Sequence, residues 1–167
     1  MDDHSPNALR FHSEGLPGLV SLKLNKPLSN VSDLALAYSP GVAEVALKII
    51  DDPDSSYDYT NIGNTIAIVS NGSAALGLGN IGSAATKPIM QGKAALFKAF
   101  SGVDAVDILL DESDPERFVE CVATFGMNFG AINLEDIKAP DCFLIEKLLK
   151  KRLNVPVFHD DQHATAI

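Results

Sequence analysis

From Thr65 to Phe158 the chain alternates short, β-branched apolar runs with longer stretches of helical spacing, and this alternation constrains the fold more than any other feature. "TIAIVS" (65–70), "AVDILL" (105–110), "FGAINL" (129–134) and "VPVF" (155–158) read as strands. Between them lie three helical segments. "PIMQGKAALFKAF" (88–100) carries Pro88 in its first turn, where a missing amide hydrogen does no harm. "DPERFVECVATF" (114–125) places Asp114 as N-cap and Pro115 at the first helical position. "PDCFLIEKLLKKRL" (140–153) ends with Lys150, Lys151 and Arg152 at the negative end of the helix dipole. Apolar strands, brief links and strict alternation predict an α/β fold of three layers, a mostly parallel sheet with helices on both faces.

Upstream the pattern is looser. Residues 1–30 read as an extended arm with one short helix, preceding a main domain over 31–167. "VSDLALAYSPGVAEVALKII" has helical spacing on both sides of Ser39-Pro40-Gly41. Pro40 pushes Ser39 out of the helical region, so two helices meet there, with Tyr38 at the break. "DDPDSSYDYTNIGN" reads as a turn-rich loop. A chain of 167 residues suits one domain with a real core.

Composition narrows the function. A net charge of −9 argues against a sequence-independent nucleic-acid binder, which needs a basic face. The N-terminus "MDDHSPNALRFH" lacks the basic and apolar segments of a signal peptide, and no apolar run is long enough to span a bilayer. Cys121 and Cys142 both fall in helical segments and read as buried thiols of a reducing cytoplasm.

Chemistry concentrates in a few places. Gly77, Gly79 and Gly82 spell G-x-G-x-x-G after the first strand, a dinucleotide fingerprint if a long helix follows directly. Pro88 limits a helix from Gly82 to about one turn; Asp104 and Asp107 are near the spacing required of the acid, but Asp107 lies inside "AVDILL" and not after it. A tight glycine connection is the competing reading. Glu135 and Asp136 adjoin one strand end, and Asp160 and Asp161 another. Open parallel sheets bind ligands outside the carboxyl ends of their strands, so both pairs can face one crevice. Carboxylates that close repel unless a cation or proton intervenes, and hard oxygen donors select Mg²⁺ or Mn²⁺; two solvated loops would have the same sequence. His159 and His163 have the four-residue spacing of a zinc helix, but His159 follows a strand and position 160 is Asp. His4 and His12 lie in the arm and suggest no site. Lys93 sits early in its helix, and beside a bound cation its pKa would fall towards that of a base. Tyr38 is a candidate donor.

Taken in order, "AYSPGVAE", "YDYTNIGN", "LGLGNIG", "KPIMQGKAALFKAFSGVD", "INLEDIKAP" and "PVFHDDQHATAI" resemble successive blocks of the bacterial malic enzymes, from about residue 30 to the last residue. The resemblance implies oxidative decarboxylation of malate to pyruvate and carbon dioxide with reduction of NAD or NADP. It implies Tyr38 as general acid, Lys93 as general base, and Glu135, Asp136 and Asp161 as ligands of Mg²⁺ or Mn²⁺. It also implies a homodimer, and assigns the glycine block to the substrate-and-metal domain. The nicotinamide-binding domain would follow "HATAI", so these residues alone are expected not to turn over. Ser39, Asn71 and Ala164 stand where the family pattern has Thr, Asp and Gly. Two other readings remain open. A dinucleotide module using Gly77, Gly79 and Gly82 would bind NAD or NADP saturably, and an oligomerisation domain would assemble without metal.

Overall fold

The computed structural model describes residues 5–164. It separates into two compact units, Met1–Val20 with Asn64–Ile167, and Ser21–Gly63.

The Ser21–Gly63 unit is helical. Helix α2 (Val31–Ala37), after α1 (Ser5–Ser13) in the other unit, is capped by Asn30, whose side chain accepts the Asp33 N–H at 2.9 Å. Tyr38 is its C-cap, the Ser39–Pro40 peptide is cis, and α3 (Val42–Asp51) begins after Gly41, so the two helices meet where the proline predicts. Gly41 is required by close approach, since a Cβ there would lie 2.7 Å from the Ala35 carbonyl oxygen. Neither helix buries a side chain within the unit. The expected loop after α3 is wound into two 3₁₀ turns around a short helix, α4 (Ser56–Tyr59).

The larger unit holds a four-stranded sheet. Its strands are β1 (Thr65–Ser70), β2 (Asp104–Leu109), β3 (Ala131–Leu134) and β4 (Val157–His159), ordered β2-β1-β3-β4 and all parallel. Side chains of a strand alternate between faces, and β1 shows the consequence. Ala67 and Val69 join a core with Ile132, Leu134 and Val157, covered by α6 (Pro115–Phe125) through Phe118 and Val122, and by α7 (Asp141–Arg152) through Ile145 and Leu149. Ile68 points the other way, onto Met90 and Ala94 of α5 (Gly82–Ser101). The three-layer α/β architecture is therefore as the alternation predicts.

Two expectations fail. Helix α5 starts at Gly82, six residues before the predicted Pro88, and the proline lies inside it. A proline within a helix forfeits one hydrogen bond. Here Thr86, Met90 and Ala94, on both sides of it, are buried, and packing outweighs the local preference. Cys121 is exposed and only Cys142 is buried, because α6 turns Phe118 and Val122 inward and leaves Cys121 outside.

Candidate active site

The register of the last two strands builds the site. Leu134 pairs with His159, so β3 and β4 end at the same level, and the acidic pairs that follow them emerge side by side. Asp136 adopts φ 55°, the one described non-glycine residue in the left-handed region, which aspartate tolerates better than most residues. Its N–H donates to Asp161 Oδ2 at 3.0 Å, and its carbonyl accepts the Ala74 N–H at 3.0 Å.

Lys93 comes to these acids from α5. Its Nζ lies 3.1 Å from Glu135 Oε1 and 3.0 Å from Asp160 Oδ2. The second Glu135 oxygen accepts from Asn133 Nδ2 at 2.9 Å. Four acids from two strand ends and one amine from a flanking helix thus share one edge of the sheet. The sequence reading brings forward Lys93, Glu135, Asp136 and Asp161, and the structure gathers all four. Asp160, named in the sequence only as a member of the second acidic pair, proves to be a partner of Lys93, and Asn133 joins the site without having been foreseen. Tyr38 stands in the other unit, exposed at the end of α2.

Charge is poorly tolerated here. Burial raises the Glu135 carboxyl from 4.5 to about 7, against the lowering pull of Lys93. Burial, then the neighbouring Asp161 charge, raises Asp136 from 3.8 to about 6. Burial lowers Lys93, but its hydrogen bond to Asp160 and the charge of Glu135 outweigh this, so its pKa is raised. The shift is opposite to the lowering expected for a lysine beside a cation, because the acids hold the ammonium.

A divalent cation fits these residues. Burial raises the pKa of two of the carboxyls, which a cation's charge would offset, and the buried Oδ2 of Asp136 has no hydrogen-bond partner. As they stand, no three His, Cys, Asp or Glu side chains among the described residues are grouped to hold a metal, and Lys93 occupies Glu135 Oε1. Binding a cation therefore requires the carboxylates to turn. His159 and His163 do not converge on a zinc site. His163 Nε2 lies 3.0 Å from Glu146 Oε1, while His159 faces Asp161. A cavity of about 520 Å³ opens beside Asp161, walled mainly by Ala74, Ile137, Ala139 and Phe143.

The glycine segment forms a closed loop between β1 and α5. The Gly72 carbonyl accepts the Ile81 N–H at 3.0 Å, tying the loop's ends. Gly72 has φ +66°, and a Cβ there would lie 2.3 Å from both the Gly82 oxygen and Thr86 Oγ1. A long helix does follow Gly82, contrary to the proline argument, but Asp107 is buried within β2 against Lys87 and cannot serve as a fingerprint acid at a strand end. Asn71 ties this loop to its neighbours. Its Nδ2 donates to the Glu112 carbonyl at 3.0 Å, and its Oδ1 accepts the Ser73 hydroxyl at 2.7 Å.

The domain is an open parallel α/β sheet with a lysine among carboxylates at the carboxyl ends of its strands, the edge at which such sheets bind ligands. Residues 20–116 match the family model "Malic enzyme, N-terminal domain". The chain is 56% identical over 168 residues to the NADP-dependent malic enzyme of Escherichia coli K12, covering 100% of this chain and 22% of that protein. It is 52% identical to the NAD-dependent malic enzyme of Rhizobium meliloti, covering 99% of this chain and 21% of that one. The crystal structure of malic enzyme from Pyrococcus horikoshii superposes with a TM-score of 0.92 at 47% identity, over 94% of this chain and 37% of that one. The chain belongs to the malic enzyme N-terminal domain family. It spans about a fifth of the length of the first two relatives.

Proposed function

We propose that this chain supplies the metal- and substrate-binding part of a malic enzyme, which converts malate to pyruvate and carbon dioxide while reducing NAD or NADP. The observation that carries the reading is the convergence of Lys93 with Glu135 and Asp160 beside Asp136 and Asp161, in a family whose relatives are malic enzymes. Glu135, Asp136 and Asp161 would hold Mg²⁺ or Mn²⁺, which when bound supplies Lewis-acid stabilisation of negative charge on substrate oxygen.

The remaining chemistry belongs to side chains. Lys93 would take the C2 hydroxyl proton as C2 is oxidised, with NAD or NADP, when bound, supplying the hydride acceptor. It can do so only after giving its own proton to water, so its contacts with Glu135 and Asp160 must loosen when substrate enters. Asp160 orients the amine. Tyr38 donates a proton to C3 after the distal carboxylate has gone. The exposed apolar residues of α2 and α3, among them Leu36, Leu47 and Ile50, support a homodimer. No described helix is long and apolar enough to cross a membrane, and the two free cysteines support a cytoplasmic setting.

Calorimetric titration with malate, with and without Mn²⁺, tests the reading. Malate binding that requires Mn²⁺ is expected. Malate binding of equal strength without metal, or none with it, contradicts the reading.

A further inference from the structure

His159 is the last residue of β4 and only 1% exposed, yet the chemistry above gives it no part. Its Nδ1 accepts the Gln162 N–H at 3.3 Å, capping the short turn α8 (Asp160–His163) that carries both acids. A ring nitrogen that accepts from a backbone N–H carries no hydrogen, so the network assigns the ring hydrogen to Nε2. That Nε2 is buried and without a hydrogen-bond partner. The nearest acid oxygen is Asp161 Oδ2, at 3.5 Å. The same Oδ2 already accepts the Asp136 N–H at 3.0 Å, whereas no hydrogen bond to Asp161 Oδ1 is formed among the described residues.

We propose that His159 is a positioning residue, whose Nε2–H and the Asp136 N–H together hold Asp161 by Oδ2 and leave Oδ1 free for a divalent cation. A buried N–H with no acceptor is costly, and a carboxylate a few tenths of an ångström too far away is the acceptor it lacks. A small turn of Asp161 as it takes up a cation closes the gap. Hydrogen bonds from groups behind a ligating carboxylate commonly set metal affinity by about 10- to 100-fold. The inference rests on the proposal that Asp161 is a cation ligand.

Two substitutions separate the imidazole's two contacts. In H159N the amide oxygen stands near the position of Nδ1 and can keep the cap, but nothing reaches Asp161. In H159Q the amide nitrogen stands near the position of Nε2 and keeps the donor. Mn²⁺ affinity of the 167-residue chain is read by electron paramagnetic resonance, with melting curves in chelator to confirm folding. H159N is expected to bind Mn²⁺ about 10- to 100-fold more weakly than wild type, with H159Q close to wild type. Equal loss in both variants, or no loss in H159N, overturns the inference while leaving the metal reading standing. Absence of Mn²⁺ binding by wild type overturns the metal reading and this inference with it. Imidazole ¹⁵N NMR needs neither variant. An Nε2–H tautomer whose proton moves downfield on adding Mg²⁺ supports the proposal, and an Nδ1–H tautomer overturns it.

Discussion

Replacing Glu135 with glutamine removes a carboxylate from surroundings that penalise its charge while preserving its shape. Burial lifts this carboxyl from 4.5 to about 7 even with Lys93 at 3.1 Å. An acid with a raised folded-state pKa loses stability as it ionises: the unfolded chain gives up the proton first, and the folded chain only near pH 7. The contribution of Glu135 is therefore fully present in mild acid and lost as pH rises through about 7. Integrated from about pH 5 to about pH 8, the loss is roughly 2–3 kcal/mol. For a chain of this size that corresponds to roughly 5–10 °C in melting temperature. His159, whose pKa burial lowers, contributes with the opposite sign but does so in both proteins, so the difference between wild type and variant isolates Glu135. Lys93 keeps Asp160 at 3.0 Å in the variant. Urea unfolding in chelator, followed by circular dichroism, reads the effect. The two proteins should be similarly stable at about pH 5, and Glu135→Gln should be the more stable at about pH 8 by roughly 2–3 kcal/mol. A difference that does not change with pH, or a less stable variant at the higher pH, would refute the reasoning.

Three further outcomes are expected. Lys93→Ala removes the cation now held against Glu135 and Asp160, so Mn²⁺ should bind at least as tightly as in wild type; weaker Mn²⁺ binding by calorimetry would contradict the assignment of Lys93 outside the ligand set. Gly72→Ala forces a Cβ to 2.3 Å from Gly82 O and Thr86 Oγ1 at positive φ, and should destabilise the fold by about 3 kcal/mol, a loss that an unchanged melting curve would rule out. Asn71→Asp loses the donor to the Glu112 carbonyl and should lower stability by about 1–2 kcal/mol; equal stability in urea would count against the tie.

What could be read from the sequence was what local physics decides. The strands follow from β-branched apolar runs, and α6 begins as predicted because Asp114 caps it, accepting the Arg117 N–H at 2.9 Å. The start of α5 could not be read, because Thr86, Met90 and Ala94 are buried against elements distant in sequence, and that packing overrides Pro88. The two acidic pairs were visible because each follows a strand. Which acid meets Lys93 was not, since that depends on Leu134 standing beside His159, a register no single segment encodes. Tyr38 and Lys93 were candidates from their local setting and received their proposed roles from the family resemblance, whereas the burial of His159 depends on packing that no local segment encodes.

On the function proposed, carboxylates from two strand ends share one divalent ion. Titration of the metal-free chain with Mn²⁺, followed by the loss of the free-ion resonance signal, tests it most directly. One saturable site per chain, abolished by Asp136→Asn and by Asp161→Asn, is the predicted result. No saturable site, or a site that survives both substitutions, would contradict it.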